Sequence, residues 1–295
     1  VLDPEETLLA VAFGSVLVVY EVARLVQGIE KPVLVCNNVG ARDMCWTTMP
    51  NQPRNLVVLT NDRQIHVYNL MGHLVCTHSD IEATSLAWSP QSNVLAVGDD
   101  EGVIHKLSYT YNDGEAVGSF IMVESMPKPE HVGDNFQVRH LNWAEDNLIL
   151  AGYKTSDNEE AASCIFDGDN TTDMGEIVSF FPSDSRQHEY FSCYLKAWRM
   201  FFVGCSVSTD IELVVSDPET NEWQIWKPLE KYTPRLPMNS DDEDTYPVGM
   251  SLILNSTVPL PGDELDSEFY PCPLILCGTT DGIALSFALL DTNEE

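Results

Sequence analysis

The sequence predicts an all-β fold of the WD40-like β-propeller class. Three observations carry this. Short apolar runs alternate with turn residues along the whole chain. Tryptophans recur at positions 46, 88, 143 and 198, at spacings of 42, 55 and 55 residues. Each of them is followed closely by a second apolar run. Units of four short strands repeating every ~40–45 residues are the mark of propeller blades, and longer spacings mean longer loops. A sandwich of short strands is the alternative that the same runs allow.

The clearest copy spans residues 81–126. Its first run, 84–88, ends at Ser89-Pro90, where proline lacks an N–H and ends the strand. The second, 94–98, is short and apolar, as a buried strand should be. Residues 99–102 are Asp-Asp-Glu-Gly, types that tolerate positive φ in a hairpin turn. The third run, 103–107, alternates, and a fourth strand is expected at 120–123.

The other units follow that pattern. Residues 8–22 read as two strands around Gly14-Ser15, about half a blade. Residues 39–80 hold runs at 44–46, 55–60 and 64–70, with a turn at Asn61-Asp62. A proline-containing link, 127–134, leads to a third unit at 136–181, with runs at 141–143 and 148–152. A fourth unit has runs at 195–198 and 200–204 and closes at Trp223 to Trp226. After a long acidic loop, 233–246, the last unit has runs at 249–254, 274–278 and 283–289, with a turn at Asp281-Gly282. It also carries an acidic loop at 263–268 and an acidic tail. The expected total is about five complete blades plus part of another, in one propeller domain over residues 1–295. Because residue 1 is Val rather than Met, the chain reads as part of a longer protein.

Composition narrows the function. Fifteen basic against 46 acidic residues give a formal net charge of −31. Such a surface repels phosphate, so direct nucleic-acid binding and anionic membranes are disfavoured, while a basic protein partner suits it. No segment approaches the ~20 apolar residues of a membrane-spanning helix. The apolar run near the start follows Asp3, Glu5 and Glu6, which is wrong for a signal peptide. The eight cysteines form no C-x-x-C pair, and Cys76, Cys205 and Cys277 read as small buried hydrophobes in a reducing compartment.

The candidate chemistry is sparse. Asp167-Gly-Asp-Asn-Thr171, within an acidic insertion at 157–176, invites a calcium reading. An EF-hand loop needs Gly at its sixth position and Glu at its twelfth, and here these are Thr172 and Val178, so an inter-strand loop is expected instead. His188 has no convincing partner at metal-ligand spacing, and no nucleophile elbow or phosphate loop occurs. It reads as a structural histidine at a blade corner. No enzyme activity, catalytic residue, cofactor or metal is expected.

The most distinctive stretches are RQHEYFSCYLKAWRMFFVGCSVSTDIELVV from residue 186, NEWQIWKPL, LPMNSDDEDTYPVGM from 236, PLILCGTTDGIALSFAL from 273, and TSLAWSPQSNVLAVGDDEGVI from 84. In collinear order these resemble the N-terminal propeller of the large FG nucleoporin family of the cytoplasmic pore face, known in vertebrates as CAN. That resemblance implies a seven-bladed propeller, of which this chain lacks the first blade and the start of the second. It implies a nuclear pore component at the cytoplasmic face that docks a DEAD-box RNA helicase, on a surface overlapping the helicase's RNA-binding surface, for messenger RNA export. Other cytoplasmic-face nucleoporins would join through regions outside this chain. The family's helicase-contacting loop falls on residues 233–249, which places the contact at Leu236, Pro237, Met238, Asp241, Asp242, Glu243 and Asp244. Thr233 and Arg235 depart in charge from the family pattern. A generic WD40-like interaction scaffold in another complex is the alternative.

Overall fold

Apolar residues that alternate along a strand bury one face of a sheet, and continuous apolar runs bury both. The computed structural model follows this rule sheet by sheet. It describes residues 1–29, 31–48, 54–112, 117–157, 160–178, 188–256, 260–261, 268–269 and 271–290. By contacts the chain divides into two compact units, Val1–Ile177 and Val178–Glu295.

The first unit holds four antiparallel meanders. The first comprises β1 (Leu8–Phe13), β2 (Val16–Glu21) and β3 (Leu34–Asn37), with a short helix α1 (Val22–Val26) between the last two. The second comprises β4 (Ala41–Trp46), β5 (Asn55–Thr60), β6 (Ile65–Asn69) and β7 (Leu74–His78). The third comprises β8 (Ala83–Trp88), β9 (Val94–Asp99), β10 (Ile104–Asn112) and β11 (Val117–Met126). The fourth comprises β12 (Phe136–Glu145), β13 (Leu148–Thr155), β14 (Ala161–Asp167) and β15 (Asn170–Gly175).

The second unit holds two more. One comprises β16 (Tyr190–Leu195), β17 (Met200–Cys205), β18 (Glu212–Ser216) and β19 (Trp223–Trp226). The other comprises β20 (Pro247–Ile253), β23 (Leu274–Thr279) and β24 (Ala284–Ala288), with the two-residue strands β21 (Leu260–Pro261) and β22 (Glu268–Phe269) pairing separately.

The described residues therefore form six blade-like sheets, not the seven implied by the resemblance. The half blade expected at 8–22 is a three-stranded sheet. Its third strand, Leu-Val-Cys-Asn, lies beyond a helical connection, and four residues are too few to show a period. The last sheet also has three strands among the described residues.

In the first unit the sheets pack face to face. Leu59, Val67 and Ile81 of one layer meet Leu86, Trp88, Leu95, Val97 and Tyr109 of the next. Ala96 and Ile104 pack with Val138, Leu141, Trp143 and Tyr153. Strands β5 and β9 lie inside this stack, and almost every side chain on them is buried. The three tryptophans occupy equivalent places. Trp46 is registered with Leu56, Trp88 with Leu95 and Trp143 with Ile149, each the second residue of the next strand.

Trp198 breaks that rule and corrects the sequence reading. It sits in a 3-10 turn, Lys196–Trp198, outside the strand. The equivalent place belongs to Tyr194, which is registered with Phe201 and packs on it at 4.6 Å between ring centroids. An aromatic was required there, and its identity differs.

The supposed acidic loop at 157–176 is also corrected. Most of it is β14 and β15, and Asp167 pairs directly with Asn170 across a tight turn with φ +62° at Gly168. The polar side chains alternate outward on this last strand and hide its strand character from an apolar-run reading. The acidic loop at 263–268 lies almost wholly outside the described residues, and the acidic tail lies entirely outside them.

Candidate functional site: an acidic hairpin on the fifth sheet

The candidate loop begins as a continuation of a sheet edge. The Ile211 N–H donates to the Pro234 carbonyl at 2.9 Å, and the Leu236 N–H donates to the Thr209 carbonyl at 2.9 Å. Between them, Arg235 bridges Asp210. Its guanidinium makes two hydrogen bonds to that carboxylate, at 2.6 and 3.1 Å, and holds the Asp210 carboxyl below the usual carboxylate range. The charge at Arg235 is therefore spent on the protein's own frame. Leu236 is 3% exposed, so it tethers the loop to the core.

The chain then turns. Met238 and Asp244 form an antiparallel bridge. The Asn239 N–H donates to the Glu243 carbonyl at 2.8 Å. The Asn239 Oδ1 accepts from the N–H groups of Asp241 and Glu243, both at 2.9 Å. Asp242 takes φ +60°, a left-handed conformation that Asp tolerates better than most residues. The Thr245 hydroxyl donates to the Pro237 carbonyl at 2.6 Å, closing the base. Tyr246 and Thr280 exchange two bonds, Tyr246 N–H to Thr280 Oγ1 at 3.2 Å and Thr280 N–H to the Tyr246 carbonyl at 3.0 Å. These fix the far side to the turn between β23 and β24.

The result is a braced hairpin with an outward acidic crown. Asp241, Asp242, Glu243 and Asp244 are all exposed. Met238 is 62% exposed, and Pro237 is exposed beside it. Of the seven residues singled out from sequence, six face solvent on one short hairpin and Leu236 anchors it. Sequence reasoning missed Asn239, whose side chain organises the turn. Its signal was present, since Asn69 and Asp99 head turns of the same kind elsewhere in the chain.

The other candidates fall into structural roles. His188 is buried, with its ring edge-on to Tyr190 at 4.7 Å. Cys76, Cys205 and Cys277 are buried, and burial pushes the thiols of Cys76 and Cys277 up to about 11. All eight cysteines are free. Among the described residues no cluster of His, Cys, Asp or Glu is arranged to hold a metal ion, and no helix is long and apolar enough to cross a membrane.

Comparison with known proteins gives a consistent family. A family model described as the NUP159/214 beta propeller matches residues 2–283. The nuclear pore complex protein Nup214 of Homo sapiens is 21% identical over 266 residues, covering 85% of this chain and 12% of that protein. Nuclear pore complex protein 14 of Caenorhabditis elegans is 25% identical over 215 residues, covering 71% of this chain and 15% of that protein. Nucleoporin NUP159 of Chaetomium thermophilum is 20% identical, covering 92% of this chain and 20% of that protein. The chain thus spans between 12% and 20% of the length of these relatives. Among solved structures, the Dos1 propeller superposes with a TM-score of 0.53 at 11% identity, covering 97% of this chain and 79% of that one, which speaks to the fold alone.

Proposed function

The chain belongs to the NUP159/214 β-propeller family, and from that premise we propose that it is a component of the nuclear pore complex at its cytoplasmic face. The family is a scaffold rather than a known enzyme family, which supports a binding role. In this reading the hairpin at 236–246 docks a DEAD-box RNA helicase during messenger RNA export. Other pore proteins join through regions beyond this chain.

One observation carries the docking reading. Met238 is presented on a hairpin whose backbone is already ordered by Asn239, with four acidic side chains around it. A preordered element loses less conformational entropy on binding. Burying the methionine contributes roughly 1–3 kcal/mol, enough for an anchor. The acidic crown attracts a basic surface over long range and sets its orientation. The same charges discourage RNA from occupying the hairpin, which suits a docking surface that competes with RNA for the helicase.

The test is surface plasmon resonance against the cognate helicase at low and high salt. Met238→Ala should mainly speed dissociation, because a packed contact is lost. Converting Asp241, Asp242, Glu243 and Asp244 to amides should mainly slow association and flatten its salt dependence. If both variants keep the affinity within about twofold, or about 0.4 kcal/mol, the hairpin is not the docking site.

A further inference from the structure

We propose that the docking surface extends from the hairpin along the outer edge of the fifth sheet, through Trp226, Leu229 and Tyr232, and that the helicase meets it with an apolar depression rimmed by basic side chains. The inference rests on the reading of the hairpin given above and enlarges the surface it assigns.

The topology places Trp226 at the end of the outermost strand and Leu229 and Tyr232 in the connection that runs from it to the hairpin. Strand β19 is outermost in its sheet and ends at Trp226, which is registered with Leu213. Three positions before Leu213, Asp210 is bridged by Arg235. Residues 227–234 therefore leave the edge and return to it, and the hairpin starts where they return. This excursion is ordered. It contains the 3-10 turn Glu230–Tyr232, with the Tyr232 N–H donating to the Leu229 carbonyl at 2.8 Å and the Thr233 N–H to the Glu230 carbonyl at 3.2 Å.

Large exposed apolar side chains gather here beside the acidic hairpin. Trp226 is 49% exposed, Leu229 69% and Tyr232 62%. With Met238, four exposed large apolar side chains fall within thirteen residues of a chain whose net charge is −31. Isolated exposed apolar residues are ordinary, but a clustered set on one ordered edge marks an interaction surface. Tryptophan and tyrosine are the residue types that most often anchor interfaces, because they bring large rigid area at little entropic cost. Exposed Glu230 lies within the excursion and the acidic crown lies at its end, so a partner that covers both must offer basic groups around an apolar centre.

The two parts of the surface should behave differently, and that difference is the test. The helicase is immobilised and the protein is injected at low and at high salt. Trp226→Ala with Leu229→Ala should weaken binding by about tenfold, mainly through faster dissociation, and equally at both salt concentrations. Neutralising the acidic crown should weaken it only at low salt. Leu229→Ser and Tyr232→Ser, each at a well-exposed position, serve as further variants, with circular dichroism melts confirming the fold. If the edge variants all bind within about twofold of the parent while Met238→Ala weakens binding, the extension is overturned and the hairpin reading stands. If Met238→Ala, the crown variant and the edge variants are all silent, both are overturned.

Discussion

Two turns of this molecule share one backbone device and put it to different uses. At residues 99–103, the Asp99 Oδ1 accepts from the N–H groups of Glu101 and Val103 at 3.0 and 2.8 Å, and the Asp99 N–H donates to the Val103 carbonyl at 3.0 Å. At residues 239–243, Asn239 makes the same three bonds, at 2.9, 2.9 and 2.8 Å. Each has a left-handed residue in fourth place, Gly102 at φ +85° and Asp242 at φ +60°. The first turn joins two long strands, and its Asp99 is buried, with Oδ2 2.8 Å from His105 Nε2. The second joins only the Met238–Asp244 bridge and projects acidic side chains into solvent. What differs is the tertiary setting. A blade turn moved to an edge becomes a rigid platform, and its acidic run is an ordered element rather than a solvated loop.

Breaking each turn at its head residue should separate the two uses most widely. Asp99→Ala leaves two N–H groups and the His105 partner without an acceptor in a partly buried setting, which costs roughly 1–3 kcal/mol of stability. A urea titration should show this as a lower midpoint with an unchanged slope. Asn239→Ala should leave global stability within about 0.5 kcal/mol, the ordinary range for surface substitutions. Its effect should appear as weaker helicase binding, because the hairpin must then be ordered during association. Equal losses of stability in both variants would mean that the hairpin is part of the cooperative core.

The tether at the base of the hairpin offers a pH-dependent version of the same comparison. Arg235 holds the Asp210 carboxyl below its ordinary value, so Asp210 binds its proton more weakly in the folded state than in the unfolded one. Its contribution is present above the unfolded value near 4 and is lost as pH falls through the folded value. Arg235→Met should therefore lower the melting temperature slightly at neutral pH, and the deficit should vanish in acid. A deficit that stayed constant with pH would show that the guanidinium acts by packing alone.

The smallest expected effect is at the left-handed residue. Asp242→Gly relieves the positive φ, but glycine frees the unfolded chain, so the two effects nearly cancel. Thermal stability should move by less than about 1 kcal/mol. Association with the helicase should slow only as far as the loss of one of four charges requires.

The sequence made much of this legible, and its failures have physical causes. Trp46, Trp88 and Trp143 marked equivalent strand positions because each must fill the same space between neighbouring sheets. Trp198 misled because Tyr194 takes the equivalent register position in the fifth sheet. Strand β15 was invisible because Asn170, Thr171, Asp173 and Gly175 leave no apolar period. The acidic run of the hairpin is plain in the sequence, but the role of Asn239 is not, since one polar side chain among many does not announce that it bonds two N–H groups. Comparison with the Asn69 and Asp99 turns would have exposed it. The Asn69 Oδ1 likewise accepts from Met71 and His73, both at 3.0 Å. The resemblance places Leu236 among the contact residues because it lies in the matching loop, but its side chain is turned to the core and anchors the hairpin.

The most direct test of the docking claim is amide hydrogen exchange of the protein with and without the helicase. Strand β11 is the natural internal control, because it is also an outer strand with exposed apolar side chains, Ile121, Met122 and Val123, yet carries no such hairpin. The account predicts slower exchange on binding at residues 237–246, with no change at 117–126. Unchanged exchange at 237–246, with protection appearing instead along β11, would contradict it.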